Sequence, residues 1–190
     1  MDSGQHAEPR KPGIFRTFVN LLVAVAFIFG LSWALRTFVF QPYEIPSGSM
    51  ETTIMTGDMV FSEKVSYYMR DPEPGDIVTF QDPEIPGRVL IKRCIAVGGQ
   101  TVDLQDGKVV VDGVVQDEPY TRGLPSEPLT PALGTTITYP YTVPEGHLWM
   151  MGDNRTNSQD SRYFGAIDES TVTGRGMLIY WPLNNIGLLG

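Results

Sequence analysis

The chain has 190 residues, 42% of them hydrophobic and 19% charged, enough for one globular domain with its own core plus an appendage. Its formal charge of −8 is unevenly placed: the first 40 residues carry four basic side chains against two acidic, leaving 10 basic against 20 acidic in the rest. A body that acidic excludes nucleic acid as the partner, since phosphate contacts need clustered Lys and Arg, and the single cysteine, Cys94, excludes an intramolecular disulfide and a cysteine-rich metal cluster.

Residues 1–13, rich in Pro, Gly and charge, read as a disordered tail. The run from Phe18 to Leu35 contains no charge, and with its apolar flanks residues 14–40 read as a transmembrane helix. Three basic residues precede the run and only Arg36 follows closely, so the tail is expected in the cytoplasm and residues 41–190 outside it, at the cell membrane. A cleaved signal peptide is the rival reading, with Ser32-Trp33-Ala34 as a small-x-small site, but apolar sequence resumes beyond it as "TFVF".

Beyond the membrane segment, 20 Gly and 15 Pro in the chain punctuate short apolar or alternating runs, and the expected body is mainly β, an antiparallel sheet or barrel-like body. The runs are "DMVFSEKV", "GDIVTF", "RVLIKRCIAV", "QTVDLQ", "KVVVDGVVQ", "HLWMMGD" and "GRGMLIYW". Asp106-Gly107 and Asp112-Gly113 lie between such runs and predict hairpins, because a type I′ turn needs positive φ at both central residues. Six prolines between 119 and 146 break any long ladder, so that segment reads as an extended excursion or a loose lobe rather than core sheet.

The chemistry-bearing stretch is "YEIPSGSMETTI", 43–54, where two serines stand one residue apart directly after the apolar segment. A serine that attacks needs a base. His147 is the one histidine of the body, with no sign of a Ser-His-Asp arrangement around it; a lysine serves instead if desolvation leaves its amine neutral. Lys11 lies in the tail, Lys108 in a hairpin, and Lys64 beside Glu63. Lys92 differs: strand alternation in "VLIKRCIAV" sets it on one face with Leu90, Cys94 and Ala96, opposite Ile91, Arg93, Ile95 and Val97. An ammonium on that face finds an anion, snorkels to water, or loses its proton, and the pattern alone leaves these open.

Four blocks in order, "IPSGSMETTI", "GDMVFSEK", "IKRCIAVGGQTV" and "GDNRTNSQDSRYFG", together with the apolar anchor, resemble bacterial type I signal peptidases, membrane-anchored serine proteases with a Ser-Lys dyad. The resemblance implies Ser49 as nucleophile, Lys92 as general base, Ser47 as an oxyanion-hole donor and Ser158 as the residue that orients the lysine. It implies that Arg93, Asp153, Asp160 and Arg162 hold the site by ion pairs. It also implies that Tyr43, Ile45, Pro46, Met50, Ile54, Leu90 and Ile91 line shallow pockets for an Ala-x-Ala-like site. The implied substrates are preproteins bearing signal peptides, the implied surroundings a lipid bilayer, with no cofactor and no metal. Two departures from the family pattern, Thr52-Thr53-Ile54 after the reactive serine and Gly98-Gly99-Gln100 after the lysine strand, touch neither dyad residue. A tethered β-domain that binds peptides without cutting them would need the groove but not Ser49 or Lys92, and a self-processing Ser-Lys peptidase would lack a use for the anchor. Trp181, Leu183 and the closing "IGLLG" are apolar enough either to touch lipid or to pack in the core.

Overall fold

A computed structural model describes residues 13–189, in two compact units that divide between Phe38 and Val39. The expected disordered tail lies, apart from Gly13, outside the described residues.

The first unit is one helix, α1, Ile14–Phe38. Its 25 residues contain no proline and none is buried, and at 1.5 Å per residue it is about 37 Å long, enough to cross the hydrocarbon layer. The helix stops short of residue 40 because Phe40 already belongs to a strand and stands opposite Glu63.

The second unit is built from two antiparallel sheets. The larger contains β1 (Phe40–Glu44), β2 (Met59–Glu63), β3 (Ile77–Gln81), β4 (Val89–Val97), β9 (His147–Met151), β10 (Ile167–Asp168), β11 (Val172–Trp181) and β12 (Gly187–Leu188). Their order is β1-β2-β11-β3-β4-β9-β10, with β12 paired to β11. The smaller runs β7-β6-β5-β8, from Val114–Val115, Lys108–Val111, Thr101–Gln105 and Tyr141–Thr142. Each of the seven runs read from the sequence falls on a strand or hairpin. Asp106 and Asp112 adopt φ of 51° with Gly107 at 75° and Gly113 at 80°, as the two type I′ turns demand. The short strands β1, β8, β10 and β12 gave no periodic signal, being two to five residues long.

Packing divides β4 in two. Its pairing with β9 slips between Cys94 and Ala96, so that Ile95 is an extra residue in the ladder. The bulge reverses the expected alternation. Ala96 joins Ile95 in the core between the sheets, with Val102, Val111 and Trp149, whereas Cys94 packs with Leu90, Val97, Phe80 and Met150 on the other face. Strand β9 is buried on both faces, Leu148 and Met150 to one cluster, Trp149 and Met151 to the other.

The proline-rich segment 119–146 is not loose. Arg155, almost wholly buried, donates to the Glu118 carboxylate and to Ser126 Oγ at 2.6 Å; Arg162 Nη1 donates to the Glu127 carbonyl at 3.1 Å and Ala132 N to the Tyr163 carbonyl at 2.8 Å. Apart from the two residues of β8 the segment joins no ladder, and two arginines supply donors that hold it instead. Trp181, Leu183, Ile186 and Leu188 stand exposed.

Candidate active site

The 3-10 turn Gly48–Met50 follows β1 after the extended Ile45-Pro46-Ser47 and delivers two side chains in opposite directions. Met50 is fully buried in the core with Ile45, Ile54, Val60, Ile77 and Ile91, while Ser49, 8% exposed, stays at the rim of the cleft. The turn is held from outside. Asn154 donates through its backbone N–H to the Ser49 carbonyl at 3.1 Å and through Nδ2 to the Gly48 carbonyl at 2.9 Å. Gly152 lies against the same carbonyl so closely that a Cβ there would stand 2.4 Å from Ser49 O and 2.3 Å from Ser158 Oγ.

Lys92 reaches this turn from the middle of β4. Its Nζ donates to Ser49 Oγ at 2.6 Å, across 43 residues of sequence, and the residue is 3% exposed. Burial, the largest influence, pushes the ammonium down from 10.5 to about 8, with Arg88 acting in the same direction and Asp160, Asp153 and Asp82 opposing it. The lysine face is therefore not surrounded by apolar residues alone, as alternation implied. Carboxylates approach it from the loop after β9 and from the turn before β4, and desolvation still prevails.

Two buried ion pairs frame the pair. Arg93 donates to Asp153 from Nε at 2.8 Å and from Nη2 at 2.7 Å, and Asp153 also accepts from the Thr53 hydroxyl. The Arg93 guanidinium lies 3.9 Å from the Tyr120 ring centroid. Asp160 accepts from Arg162 Nε and Nη2 at 2.9 Å and from Gly152 N at 3.0 Å. A buried carboxylate held by two-pronged Arg donors is fixed in place. These pairs fix the loop 152–162, which carries Gly152, Asn154 and Ser158, against the serine turn.

A cavity of about 160 Å³ opens beside the pair, with Tyr43, Ile45, Pro46, Leu90 and Ile91 among its walls and Ser47, Ser49 and Lys92 at its end. Two of the seven expected pocket residues, Met50 and Ile54, do not line it. Both are fully buried in the core with Ile45, Val60 and Ile77, Met50 at the end of the 3-10 turn and Ile54 four residues beyond it. Ser158 also departs from expectation: its buried Oγ has no hydrogen-bond partner among the described residues and does not bond the Lys92 amine. It is turned toward Gly152, while the amine is engaged by Ser49. His147, the alternative base, bonds the Glu145 carbonyl through Nδ1 at 3.0 Å and lines neither cavity that contains Ser49.

Along Val89–Lys92 the strand pairs with β3 on one side only, since β9 begins to pair at Arg93. Cys94 N donates to the Asp76 carbonyl and Asp82 N to the Arg88 carbonyl, so the even-numbered residues bond toward β3. The backbone groups of Val89 and Ile91 consequently face the cleft.

Sequence reasoning overlooked Gly152, Asn154 and Arg155, although all three stand in the block "GDNRTNSQDSR". A glycine at the foot of a strand was the available signal for a close backbone approach.

The site thus combines an apolar cleft, an open strand edge and a serine hydroxyl bonded to a desolvated amine, groups that peptide binding and acyl transfer require. The family model for signal peptidases of peptidase family S26 matches residues 18–181. The chain is 38% identical over 176 residues to a probable signal peptidase I-1 of Synechocystis sp., covering 89% of this chain and 84% of that one. It is 32% identical over 241 residues to a probable signal peptidase I of Mycobacterium leprae, covering 97% and 82%. A crystal structure of a signal peptidase I from Enterococcus faecalis V583 is 30% identical and covers 56% of this chain and 97% of that one, at a TM-score of 0.44. The chain belongs to the S26 signal peptidase family, and its function is that of a peptidase acting on preproteins that bear signal peptides.

Proposed function

We propose that the chain cleaves signal peptides through a Ser49–Lys92 dyad, and the observation that carries this is the 2.6 Å contact between Lys92 Nζ and Ser49 Oγ in a site buried enough to lower the amine to about 8. Neutral Lys92 takes the Ser49 hydroxyl proton as Oγ bonds the scissile carbonyl carbon. The oxyanion that forms is received by the Ser47 hydroxyl and the Ser49 N–H, which as a first-turn donor has no acceptor within its own 3-10 turn. Lys92 then gives that proton to the departing amine as the C–N bond breaks, leaving an ester on Oγ. Water attacks the ester, yields a proton to Nζ, and Oγ recovers it as the acid leaves.

Ser158 orients the amine once the lysine carries the transferred proton, since its unpaired Oγ lines the same cavity as Lys92. The ion pairs of Arg93 with Asp153 and of Arg162 with Asp160 do no chemistry; they hold the loop that positions the turn. The signal-peptide end of the substrate lies extended along Val89–Lys92 and completes the open edge, placing alternate small side chains in the cavity of about 160 Å³, as an Ala-x-Ala-like site requires. The α1 helix anchors the enzyme in the cell membrane with its N-terminus cytoplasmic and the catalytic unit outside, and exposed Trp181 and Leu183 meet the lipid surface.

The deciding experiment incubates the full-length protein, in detergent, with a preprotein carrying an Ala-x-Ala site. Wild type cuts after the second alanine, and Ser49→Ala and Lys92→Ala both abolish the cut. Cleavage surviving either substitution removes the dyad from the mechanism.

A further inference from the structure

A second cavity, of about 610 Å³, meets the first at the dyad: both are bounded by Ser47, Ser49, Arg88, Leu90 and Lys92. The small apolar one has room for little more than the side chains of an Ala-x-Ala site. The larger one extends away from it, between Leu129 and Thr130 of the proline-rich segment on one side and the 156–164 stretch, with Tyr163 and Phe164, on the other. Its volume lies in the range of sites that enclose a ligand of several residues.

The segment that carries Leu129 and Thr130 along this cavity is held in place by hydrogen bonds on both sides. Ser126 and Glu118 are clasped by the buried Arg155 guanidinium, Glu127 by Arg162 and Ala132 by Tyr163, so the backbone on both sides of Leu129 and Thr130 is fixed to the loop that also positions Ser49. Buried arginines that hold a surface segment incur a desolvation cost that only good geometry offsets. Here that geometry serves the placement of two side chains, half-buried Leu129 and exposed Thr130, over an otherwise open trough. Polar side chains of Thr156, Asn157 and Gln159 line the trough and offer hydrogen bonds to a peptide of any sequence.

We propose that this cavity seats the first residues of the mature chain, those immediately after the cut, and that the proline-rich segment exists in this enzyme to form its wall. The proposal rests on the Ser49–Lys92 reading, since it takes the dyad as the point where the scissile bond lies between the two cavities. The ligand is a short extended polypeptide held through its backbone and read through side-chain bulk at Leu129. Binding there acts before the C–N bond breaks and aligns the carbonyl with Ser49; after cleavage the same stretch is the leaving group, with its new amine protonated from Lys92.

The test compares two synthetic substrates identical up to the cut, one continuing for five residues and one ending in a single residue amide, with the full-length protein in detergent. Wild type turns over the longer with a kcat/KM about tenfold above the shorter, an expectation drawn from binding energy realised near the reacting bond. Leu129→Trp, which fills the trough, removes that advantage by slowing the longer substrate far more than the shorter; Thr130→Trp on the same wall does the same should the first variant fold poorly. A wild type indifferent to substrate length, or a filled variant that slows both substrates equally, overturns the proposal. Loss of the dyad reading would show separately, as cleavage of the short substrate by Ser49→Ala.

Discussion

Replacing Lys92 by methionine is expected to inactivate the enzyme and to make it more stable. Methionine keeps the length and apolar stem of lysine but has no proton to lose. Burial holds the Lys92 ammonium at about 8 against an ordinary 10.5, and at about 1.36 kcal/mol for each tenfold step in proton affinity this gap costs the fold about 3 kcal/mol at neutral pH. The sign follows from proton counts. Below about 8 both folded and unfolded chains hold the proton and the whole cost is present; between about 8 and 10.5 only the unfolded chain holds it, so wild-type stability rises with pH; above 10.5 the cost is gone. The variant also loses the bond to Ser49 Oγ, which takes back about 1 kcal/mol. Lys92→Met should therefore exceed wild type by about 2 kcal/mol at pH 7, with the advantage lost as pH rises and reversed by about 1 kcal/mol above pH 10.5. Urea unfolding of the full-length protein in mild detergent, followed by the fluorescence of fully buried Trp149 and its companions, measures the difference at both pH values. A variant less stable at pH 7, or one whose gain is the same at every pH, would refute the claim that the site strips water from this amine.

With Lys92 as the proposed base, kcat/KM should climb about tenfold per pH unit up to about 8 and then level, and an acid limb that stays flat to pH 5 in a stopped assay would exclude it. Ser47→Ala, at an exposed position with no structural bond from its side chain, should lower kcat about 100-fold with little change in KM, as loss of one oxyanion donor does; an equal rise in KM would mark Ser47 as a binding residue instead. Gly152→Ala forces a methyl to within 2.4 Å of the Ser49 carbonyl, which must displace the serine turn, so activity should fall at least 100-fold in protein whose circular dichroism is unchanged. Asn154→Ala removes one of two clamps on the same turn and should cost activity less, about tenfold, because the backbone bond to Ser49 O remains.

The long apolar helix and the succession of strands along the chain were legible in sequence because both depend on local periodicity: an uncharged run of helical length, and apolar runs cut by Asp-Gly turns whose positive φ the structure reproduces at 106–107 and 112–113. The candidate dyad was legible only through the resemblance, since from pattern alone Lys92 read equally as a snorkelling edge residue. What brings its amine to 2.6 Å from a hydroxyl 43 residues away is the curl of a sheet in which β4 pairs with β9 over only half its length, leaving Val89–Lys92 to face the serine turn. Local periodicity likewise missed the bulge at Ile95, which moves Ala96 to the opposite face, and the inward rotation of Met50 and Ile54, because each follows from the neighbours a residue meets after folding. It left the proline-rich segment open between an extended excursion and a loose lobe for the same reason: proline says what a stretch cannot do, and only the arrival of Arg155 and Arg162 from elsewhere in the chain decides where that stretch is held. Sequence by itself determined the elements and the chemistry available, through interactions a few residues in range; the water-poor setting that makes an amine a base comes from contacts between distant segments, which only the folded chain brings together.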